Sequence, residues 1–278
     1  MQPWLAKALD WGVIRLACRF VRNDPDPPAA SPLPLTPGAL FQDVVGAPAD
    51  LSLSASGDFR FSSPIETAAP ENNVVYGRLF PSGRAWCDRP STILLHGWNA
   101  DVCYRRMFPR LAAGLNRSGV NVAAIELPYH MQRRPRRGPV TDFISSDPAR
   151  MLEATRQAVA EIRALCRWLE AQGSPGVGVW GYSLGAWLAG LTACTDPNLH
   201  WAVLATPIAR IDRAVQALPF CRPIGQSVRR QKLDLTGLNL SSRLPLLDRR
   251  RILLVESRYD LFAPVETIQS TKPASING

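Results

Sequence analysis

Short apolar runs alternate with longer amphipathic stretches along most of the chain, from about residue 59 onward. Short apolar runs bounded by turn-forming residues are typical of strands buried inside a sheet. They predict strands at 59–66, 73–80, 91–95, 120–127, 177–180, 201–206 and 251–256. We expect the first two strands to be antiparallel and the later ones to be mainly parallel.

The stretches between these runs predict helices at 104–118, 147–172 and 184–194. The second helix has the clearest start, because Asp147 is a suitable N-cap and proline follows at the first helical position. Gly173 is a suitable stop after it. Strands joined by helices in this way predict an α/β fold, in which helices cover both faces of a mainly parallel sheet.

Residues 208–247 interrupt this alternation. Prolines and glycines divide the segment into short helical pieces, at Pro219, Pro223, Gly225, Gly237 and Pro245. An irregular segment of this length between two core strands is typical of an insertion. We expect it to form a lid over a functional site.

The first 38 residues predict an arm in front of a domain formed by residues 39–278. Charged residues interrupt the apolar pattern of residues 1–22, so neither a signal peptide nor a membrane-spanning segment fits. This stretch predicts an amphipathic helix that packs on the domain, or else contacts a membrane surface or a partner. The proline-rich residues 24–38 predict an extended connector.

The strongest chemical signal is the sequence Gly181-Tyr182-Ser183-Leu184-Gly185. A predicted strand precedes it and a predicted helix follows it, which is the strand–turn–helix context of a nucleophile elbow. The glycines have a physical reason, because so tight a turn leaves almost no space for side chains beside the serine. The following helix also directs its N-terminal N–H groups at the turn. Ser183 is therefore the predicted nucleophile, and the alternative is a serine that only caps the helix.

With this motif the chain resembles the α/β-hydrolase superfamily. The sequence His96-Gly97-Trp98 matches a second element of that superfamily, a His-Gly pair at the end of a strand. The resemblance implies that the N–H groups of Trp98 and Leu184 form an oxyanion hole. It also implies that His96, Gly97 and Tyr182 lie at the substrate pocket, where this histidine usually has a structural role.

The resemblance covers roughly residues 59–270 and implies an acidic residue in the loop after a late strand. Asp260 lies in such a loop and is the predicted partner of a catalytic histidine. Glu256 is the alternative, but it lies too early, at the end of the predicted strand. Asp260 is therefore the predicted acid of the triad.

The histidine that would complete the triad is missing from the expected place. In the superfamily it follows the acid after one further strand, and from Asp260 that position falls beyond residue 278. His200 precedes its strand and therefore lies at the wrong edge of the sheet. His130 follows a strand at the correct edge, so it is the candidate for a substitute base or a substrate contact, and the alternative is a loop histidine without a role in the site. The alternatives are a chain that lacks its last strand and histidine, and a binding protein or pseudoenzyme on a hydrolase fold.

Composition changes this picture little. The formal net charge is +9, and arginines cluster at 133–137 and 249–251. These clusters either reflect genome composition or attract anionic substrates or membrane surfaces. No zinc-finger spacing, helix-turn-helix pattern or aromatic interleaving accompanies them, so we expect no nucleic-acid partner. The scattered six cysteines and three histidines predict free thiols in a reducing, cytoplasmic environment, with no metal and no cofactor.

The resulting hypothesis is a serine carboxylesterase of the α/β-hydrolase fold that acts through an acyl-enzyme on Ser183. The expected substrates are small to medium acyl esters, because neither a secretion signal nor a disulfide framework points to a secreted lipase. The alternative is a non-catalytic or weakly active binding protein of the same fold. A sheet edge left open by an absent last strand would also allow pairing with a second copy, as a homodimer.

Overall fold

The computed structural model describes residues 39–43, 45–98, 100–136, 143–258 and 260. The predicted N-terminal arm at 1–38 lies outside these ranges. Within them, one sheet is formed by the strands β1 (Ser52–Leu53), β2 (Asp58–Ser62), β3 (Val74–Phe80), β4 (Ser91–Leu95), β5 (Asn121–Ile125), β6 (Val177–Tyr182), β7 (Trp201–Ala205) and β8 (Ile252–Val255).

The order of the strands across the sheet is β1-β2-β3-β5-β4-β6-β7-β8. Strand β2 is antiparallel to both of its neighbours, β1 and β3, and β3 is also antiparallel to β5. The remaining pairs are all parallel. The predicted mixed but mainly parallel sheet is therefore confirmed.

Two details at the start of the sheet differ from the sequence-based expectation. Strand β1 has only two residues, too few for a hydrophobic period to reveal it. Strand β2 ends at Ser62 instead of residue 66. Pro64 follows two positions later and has no N–H to donate to a ladder, which explains the earlier end.

The main helices of the described residues are α1 (Phe108–Arg117), α2 (Pro148–Ala171), α3 (Leu184–Ala193), α4 (Ile211–Ala217) and α5 (Arg222–Arg230). Helix α2 begins where the sequence predicts, because the Asp147 carboxylate accepts hydrogen bonds from the N–H groups of Ala149 (3.0 Å) and Arg150 (3.4 Å). Gly173 follows its end with a φ of +106°, a conformation that glycine adopts readily.

The helix predicted at 104–118 begins earlier and is not regular throughout. Ala100–Val102 and a π-helical turn at Cys103–Met107 lead directly into α1. In that turn the N–H of Phe108 donates to the carbonyl of Cys103, five residues back. Pro109 lacks an N–H and its ring crowds the preceding carbonyls, so the wider turn accommodates it.

Helices cover the two faces of the central sheet, as predicted. Ile93 and Ile125 point into the larger core with α2 and α3, whereas Leu94 and Ala124 point to the other face, against α1. Every residue of β4 and β5 is buried. Burial on both faces explains why the apolar residues of these strands are consecutive, at 93–95 and 122–125, and do not alternate with polar ones.

The segment 208–247 joins β7 to β8 and contains α4, α5 and several 3₁₀ turns. The short helical pieces expected from its prolines and glycines are therefore present. We refer to it below as the 208–247 segment.

Arg133 corrects one interpretation of the sequence. It belongs by sequence to the basic cluster at 133–137, yet it is fully buried. Its guanidinium donates to both carboxylate oxygens of Glu161 on α2 (2.6 and 2.7 Å). It also donates to the carbonyl oxygens of Asn72 (2.6 Å) and Glu126 (2.8 Å). Arg133 therefore contributes to the interior, and its assignment to a surface cluster is wrong.

Candidate active site

Ser183 lies in a strained turn between β6 and α3. Its backbone has φ +52° and ψ −112°, a region that residues other than glycine rarely occupy. Hydrogen bonds hold this conformation in place. The N–H of Ser183 donates to the carbonyl of Ala205 on β7 (2.9 Å), and its own carbonyl accepts from the N–H of Trp187 (3.0 Å). The sheet and the helix together therefore fix the direction of the serine.

The two glycines of the motif are required by close backbone contacts. A Cβ at Gly181 would clash with the carbonyl oxygen of Gly185, on the first turn of α3. A Cβ at Gly185 would clash with the carbonyl oxygens of Leu95 and His96, at the end of β4. Glycine at both positions lets α3 start directly against the strand ends.

A cavity of about 360 Å³ opens beside Ser183. Gly97, Trp98, Leu184 and Asp260 line the same cavity. These residues follow β4, β6 and β8, so they meet at the carboxyl edge of the parallel strands, where sites of such sheets are found. The structure thus brings the predicted nucleophile, acid and oxyanion donors to one place. Tyr182 also lines the cavity and is 41% exposed.

The loop after β4 passes close to the serine. A Cβ built on Gly97 would lie 3.1 Å from Cδ1 of Tyr182 and 3.4 Å from the Cβ of Ser183, so a side chain at this position would press on the turn. Trp98 follows Gly97, and Leu184 is the first residue of α3. Their N–H groups are the candidates for binding an oxyanion, because the helix N-terminus adds a positive field at that point.

His96 lies behind the cavity and not in its wall. It is fully buried, and its Nδ1 lies 2.7 Å from the carbonyl oxygen of Gly97. The N–H of Leu127 donates to its Nε2 (3.0 Å). These two partners require the neutral tautomer that carries its proton on Nδ1. The Gly97 carbonyl and the Trp98 N–H belong to one peptide unit, so His96 orients that unit.

Asp260 sits in the turn that follows β8, where its N–H donates to the carbonyl of Ser257 (3.3 Å). It shares the cavity wall with Ser183. Glu256, the alternative acid, directly follows the strand and is not among the residues that line the cavity.

None of the chain's three histidines is among the described residues that line this cavity. His130 is buried, and its Nδ1 lies 2.9 Å from the carbonyl oxygen of Pro128. Its ring packs edge-on against that of His96 (centroids 4.7 Å apart) and contacts Phe143. His200 lies before β7, where its N–H donates to the carbonyl of Val177 at the start of β6 (2.9 Å), so it is at the opposite edge of the sheet.

Burial also lowers the basicity of His96 and His130. It lowers the pKa of His130 to about 4 and holds the pKa of His96 well below its usual value. A base with so low a pKa drives proton removal poorly at neutral pH. The ring of His130 is thus neutral at neutral pH, but it is a weak acceptor.

We expect the free energy of unfolding to fall as the pH is lowered from about 6.5 towards about 4. The folded protein keeps the rings of His96 and His130 neutral, whereas the unfolded chain binds protons as soon as the pH drops below the ordinary histidine pKa. Stability is therefore fully present above about pH 6.5 and is lost through this window, by about 1.4 kcal/mol for each unit of pKa difference. Urea unfolding at a series of pH values measures the loss.

The contribution of one ring can be separated by substitution. His130→Gln should flatten the pH dependence relative to wild type, because one neutral buried ring is removed. His200→Gln keeps both buried rings and is the matched control, so the loss of stability that these two rings cause should remain. Identical pH dependence in His130→Gln and wild type would contradict the expectation.

The sequence motifs did not reveal several residues of the cavity wall. Thr206 directly follows β7, has φ +50° and lines the cavity. Its position directly after a parallel strand places it at the carboxyl edge of the sheet, and this could have been used to predict it from the sequence. Phe220 and Cys221 come from the 208–247 segment, and Cys103 from the π-helical turn. No local motif marks these three, since only the folding of distant segments brings them to Ser183.

A sequence model of the alpha/beta hydrolase family matches residues 92–272, which is more than half of the chain. The chain therefore belongs to the α/β hydrolase family. The matched range includes the loop after β4, the turn at Ser183 and Asp260.

Solved structures of similar fold carry the names of esterases. Acetyl xylan esterase 1 from Thermoanaerobacterium sp. JW/SL YS485 aligns with a TM-score of 0.53 and 17% identity, over 81% of this chain and 77% of that one. The acetyl xylan esterase from Paenibacillus sp. R4 has a TM-score of 0.53 and 15% identity, over 95% and 82%. Est1E from Butyrivibrio proteoclasticus, with bound ferulic acid, has a TM-score of 0.50 and 15% identity, over 71% and 80%. At these identities the likeness concerns the fold alone.

A sequence relative is an uncharacterised protein from Mycobacterium tuberculosis (strain H37Rv), which is 33% identical over 92 residues. The match covers 33% of this chain and 22% of the relative, so it spans about a fifth of that protein's length. In the described part of the chain, no helix is long and apolar enough to cross a membrane. The same residues contain no group of three or more His, Cys, Asp or Glu that could hold a metal ion.

Proposed function

We propose that this protein hydrolyses carboxylic esters of small to medium acyl groups through an acyl-enzyme on Ser183. The observation that carries the proposal is the position of Ser183, held in a strained turn and facing a cavity that it shares with Asp260 and the candidate oxyanion donors. Membership of the α/β hydrolase family supports a hydrolase, and the esterase names of the solved structures of similar fold are the reason for choosing an ester as the substrate.

The reaction follows from the arrangement of these groups. The Ser183 hydroxyl oxygen attacks the ester carbonyl and gives up its proton to water. The carbonyl oxygen, which becomes negative, accepts hydrogen bonds from the N–H groups of Trp98 and Leu184. The bond to the alcohol then breaks, and the alcohol takes up a proton from water as it leaves. In the second step water attacks the acyl group, which releases the acid and returns a proton to Ser183. Loss of a single oxyanion donor typically costs about 2.7–4 kcal/mol of transition-state stabilisation, so these two N–H groups are a major source of rate.

The position of the histidines limits the rate that we expect. With no histidine among the described residues of the cavity wall, the rate rests on the oxyanion donors and on substrate binding. Such residual catalysis reaches about 10³–10⁴-fold over water in enzymes that lack a triad member. The same observation favours a second candidate function, a hydrolase-fold protein that binds an ester-like ligand without turning it over.

A fluorophosphonate probe tests the proposal, because it reacts covalently with activated serines. The adduct can be assigned to one peptide by mass spectrometry. We expect wild type to be labelled at Ser183 and Ser183→Ala to remain unlabelled. Ser241→Ala is the matched control, since this serine lies in the 208–247 segment but is not among the cavity-lining residues, and it should be labelled like wild type. A folded wild-type protein that stays unlabelled would remove the basis of the esterase proposal and favour the binding function.

A further inference from the structure

The wall of the cavity beside Ser183 is almost entirely apolar. Its volume of about 360 Å³ lies near the lower end for sites that bind small organic molecules, about 300–1,000 Å³. Among the described lining residues, Asp260 is the only one with a carboxyl side chain, and none is lysine, arginine or histidine. The net charge of +9 therefore resides elsewhere on the chain. The described residues of the cavity therefore offer no cationic partner to an anionic acyl group.

Helix α4 supplies one side of this wall. Ile211, Ala214, Val215 and Leu218 line the cavity. Their spacing of three and four residues places them on one face of the helix. Ala217, on the same helix, is exposed and lies outside the lining. Helix α4 thus has one alanine on its cavity side, Ala214, and one on its solvent side, Ala217, and both can be substituted.

The 208–247 segment also reaches across to the oxyanion loop. The ring of Phe220 stacks on that of Trp98, with centroids 5.4 Å apart and an interplanar angle of 24°. Ile224 of α5 is buried and lines the same cavity. An apolar group bound beside Ser183 would therefore contact the segment on one side and the loop after β4 on the other.

Hydrogen bonds fix the segment to the body of the protein. The indole N–H of Trp187 on α3 donates to the carbonyl of Leu238 (2.9 Å). The N–H of Leu246 donates to the carbonyl of Ala193 at the end of the same helix (2.9 Å). A Cβ on Gly190 would lie only 2.8 Å from the side chain of Leu240, which shows how closely the two pack. The cavity is therefore largely formed before any substrate enters.

We infer that this cavity is the acyl site and that it selects apolar acyl groups of medium length. The inference rests on the proposed function and specifies its substrate class. Because Ser183 carries the acyl group in the covalent intermediate, that group must lie beside Ser183 in both half-reactions. Each methylene that enters the apolar wall adds binding until the cavity is full. An anionic acyl group would lose its hydration without gaining a cationic partner among the described residues of the wall.

The test is the profile of kcat/KM for p-nitrophenyl esters from acetate through octanoate to dodecanoate, with the anionic hemisuccinate beside butanoate. We expect wild-type kcat/KM to rise about fourfold per buried methylene and then to level off or fall as the cavity fills. The hemisuccinate should be a poorer substrate than butanoate. Ala214→Phe should lower the octanoate-to-acetate ratio about tenfold or more, because its ring occupies the cavity. Ala217→Phe, the matched control, should keep the wild-type ratio.

A flat profile, a maximum at acetate, or equal ratios in the two variants would overturn the inference. Fluorophosphonate labelling of Ser183 shows whether such a result contradicts only the acyl-site inference or also the proposed esterase function. If Ser183 is labelled and the profile is flat, the esterase proposal stands and the acyl site is wrong.

If Ser183 is not labelled, ligand binding decides the question without catalysis. Binding of 2-butanone and 2-decanone can be followed through the fluorescence of Trp98 and Trp187, which line the cavity. Wild type should bind the longer ketone more tightly, and Ala214→Phe should lose that preference while Ala217→Phe keeps it. Equal binding of the two ketones by wild type would overturn the inference.

Discussion

Replacing Arg133 by methionine should lower the free energy of unfolding by about 3–5 kcal/mol. The side chains of Arg133 and Glu161 are 0% and 1% exposed, so the variant would leave a buried carboxylate without its partner. The carbonyl oxygens of Asn72 and Glu126 would lose their donor as well. Hydrogen bonding by Ser63 to Glu161 (2.6 Å) cannot replace a cation. Chemical unfolding of the wild type and the variant measures the difference.

Arg134→Met is the matched control, because Arg134 is the exposed neighbour of Arg133 in the same run of basic residues. Its effect should stay within about 0.5 kcal/mol. The double variant with Arg133→Met and Glu161→Met should recover part of the loss, since no unpaired charge remains in the interior. Equal effects of Arg133→Met and Arg134→Met would show that the buried pair does not stabilise the fold.

The buried pair also supports the candidate site through the loop after β5. Arg133 binds the carbonyl of Glu126, and the next residue, Leu127, donates its N–H to His96. His96 in turn holds the carbonyl of Gly97, in the loop that faces Ser183. A continuous series of hydrogen bonds thus leads from the interior to the candidate oxyanion donor at Trp98.

The parts of the site that are local in sequence could be predicted. The turn at Ser183 is marked by its own glycines, and the start of α2 by Asp147 and the proline after it. In both cases the residues that decide the backbone conformation lie within a few positions of one another. The edge of the sheet on which the site lies followed from the predicted parallel direction of the strands, because parallel strands present their carboxyl ends together.

The parts that depend on distant contacts could not be predicted. The run that contains Arg133 reads as a solvated cluster, since its partner Glu161 lies 28 residues further along the chain. His130 follows the correct strand, but packing against Phe143 and His96 decides where its ring points. The cavity wall formed by α4 depends on how the 208–247 segment folds back, which hydrophobic periodicity does not specify.

His96→Phe should lower kcat for ester hydrolysis by about 10²–10³-fold with little change in KM, the loss typical of one oxyanion donor. Phenylalanine fills a similar volume but can neither donate to the Gly97 carbonyl nor accept from the N–H of Leu127. The peptide between Gly97 and Trp98 would then lose the bond that orients it. His96 contacts that peptide and not the cavity, so we regard it as a positioning residue.

His96→Asn is the conservative control, because an asparagine amide can still donate to the Gly97 carbonyl, and it should recover part of kcat. A trifluoromethyl ketone, which forms a charged adduct with the serine, should lose affinity for His96→Phe in parallel with kcat. The matching methyl ketone, which develops no such charge, should bind as it does to wild type.

If His96 only stabilises the fold, the melting temperature of His96→Phe will fall. Its kcat and its affinity for the trifluoromethyl ketone, both measured well below that temperature, will then stay at the wild-type values. That outcome would contradict a positioning role, because an oriented Trp98 N–H matters only where negative charge develops on the substrate oxygen.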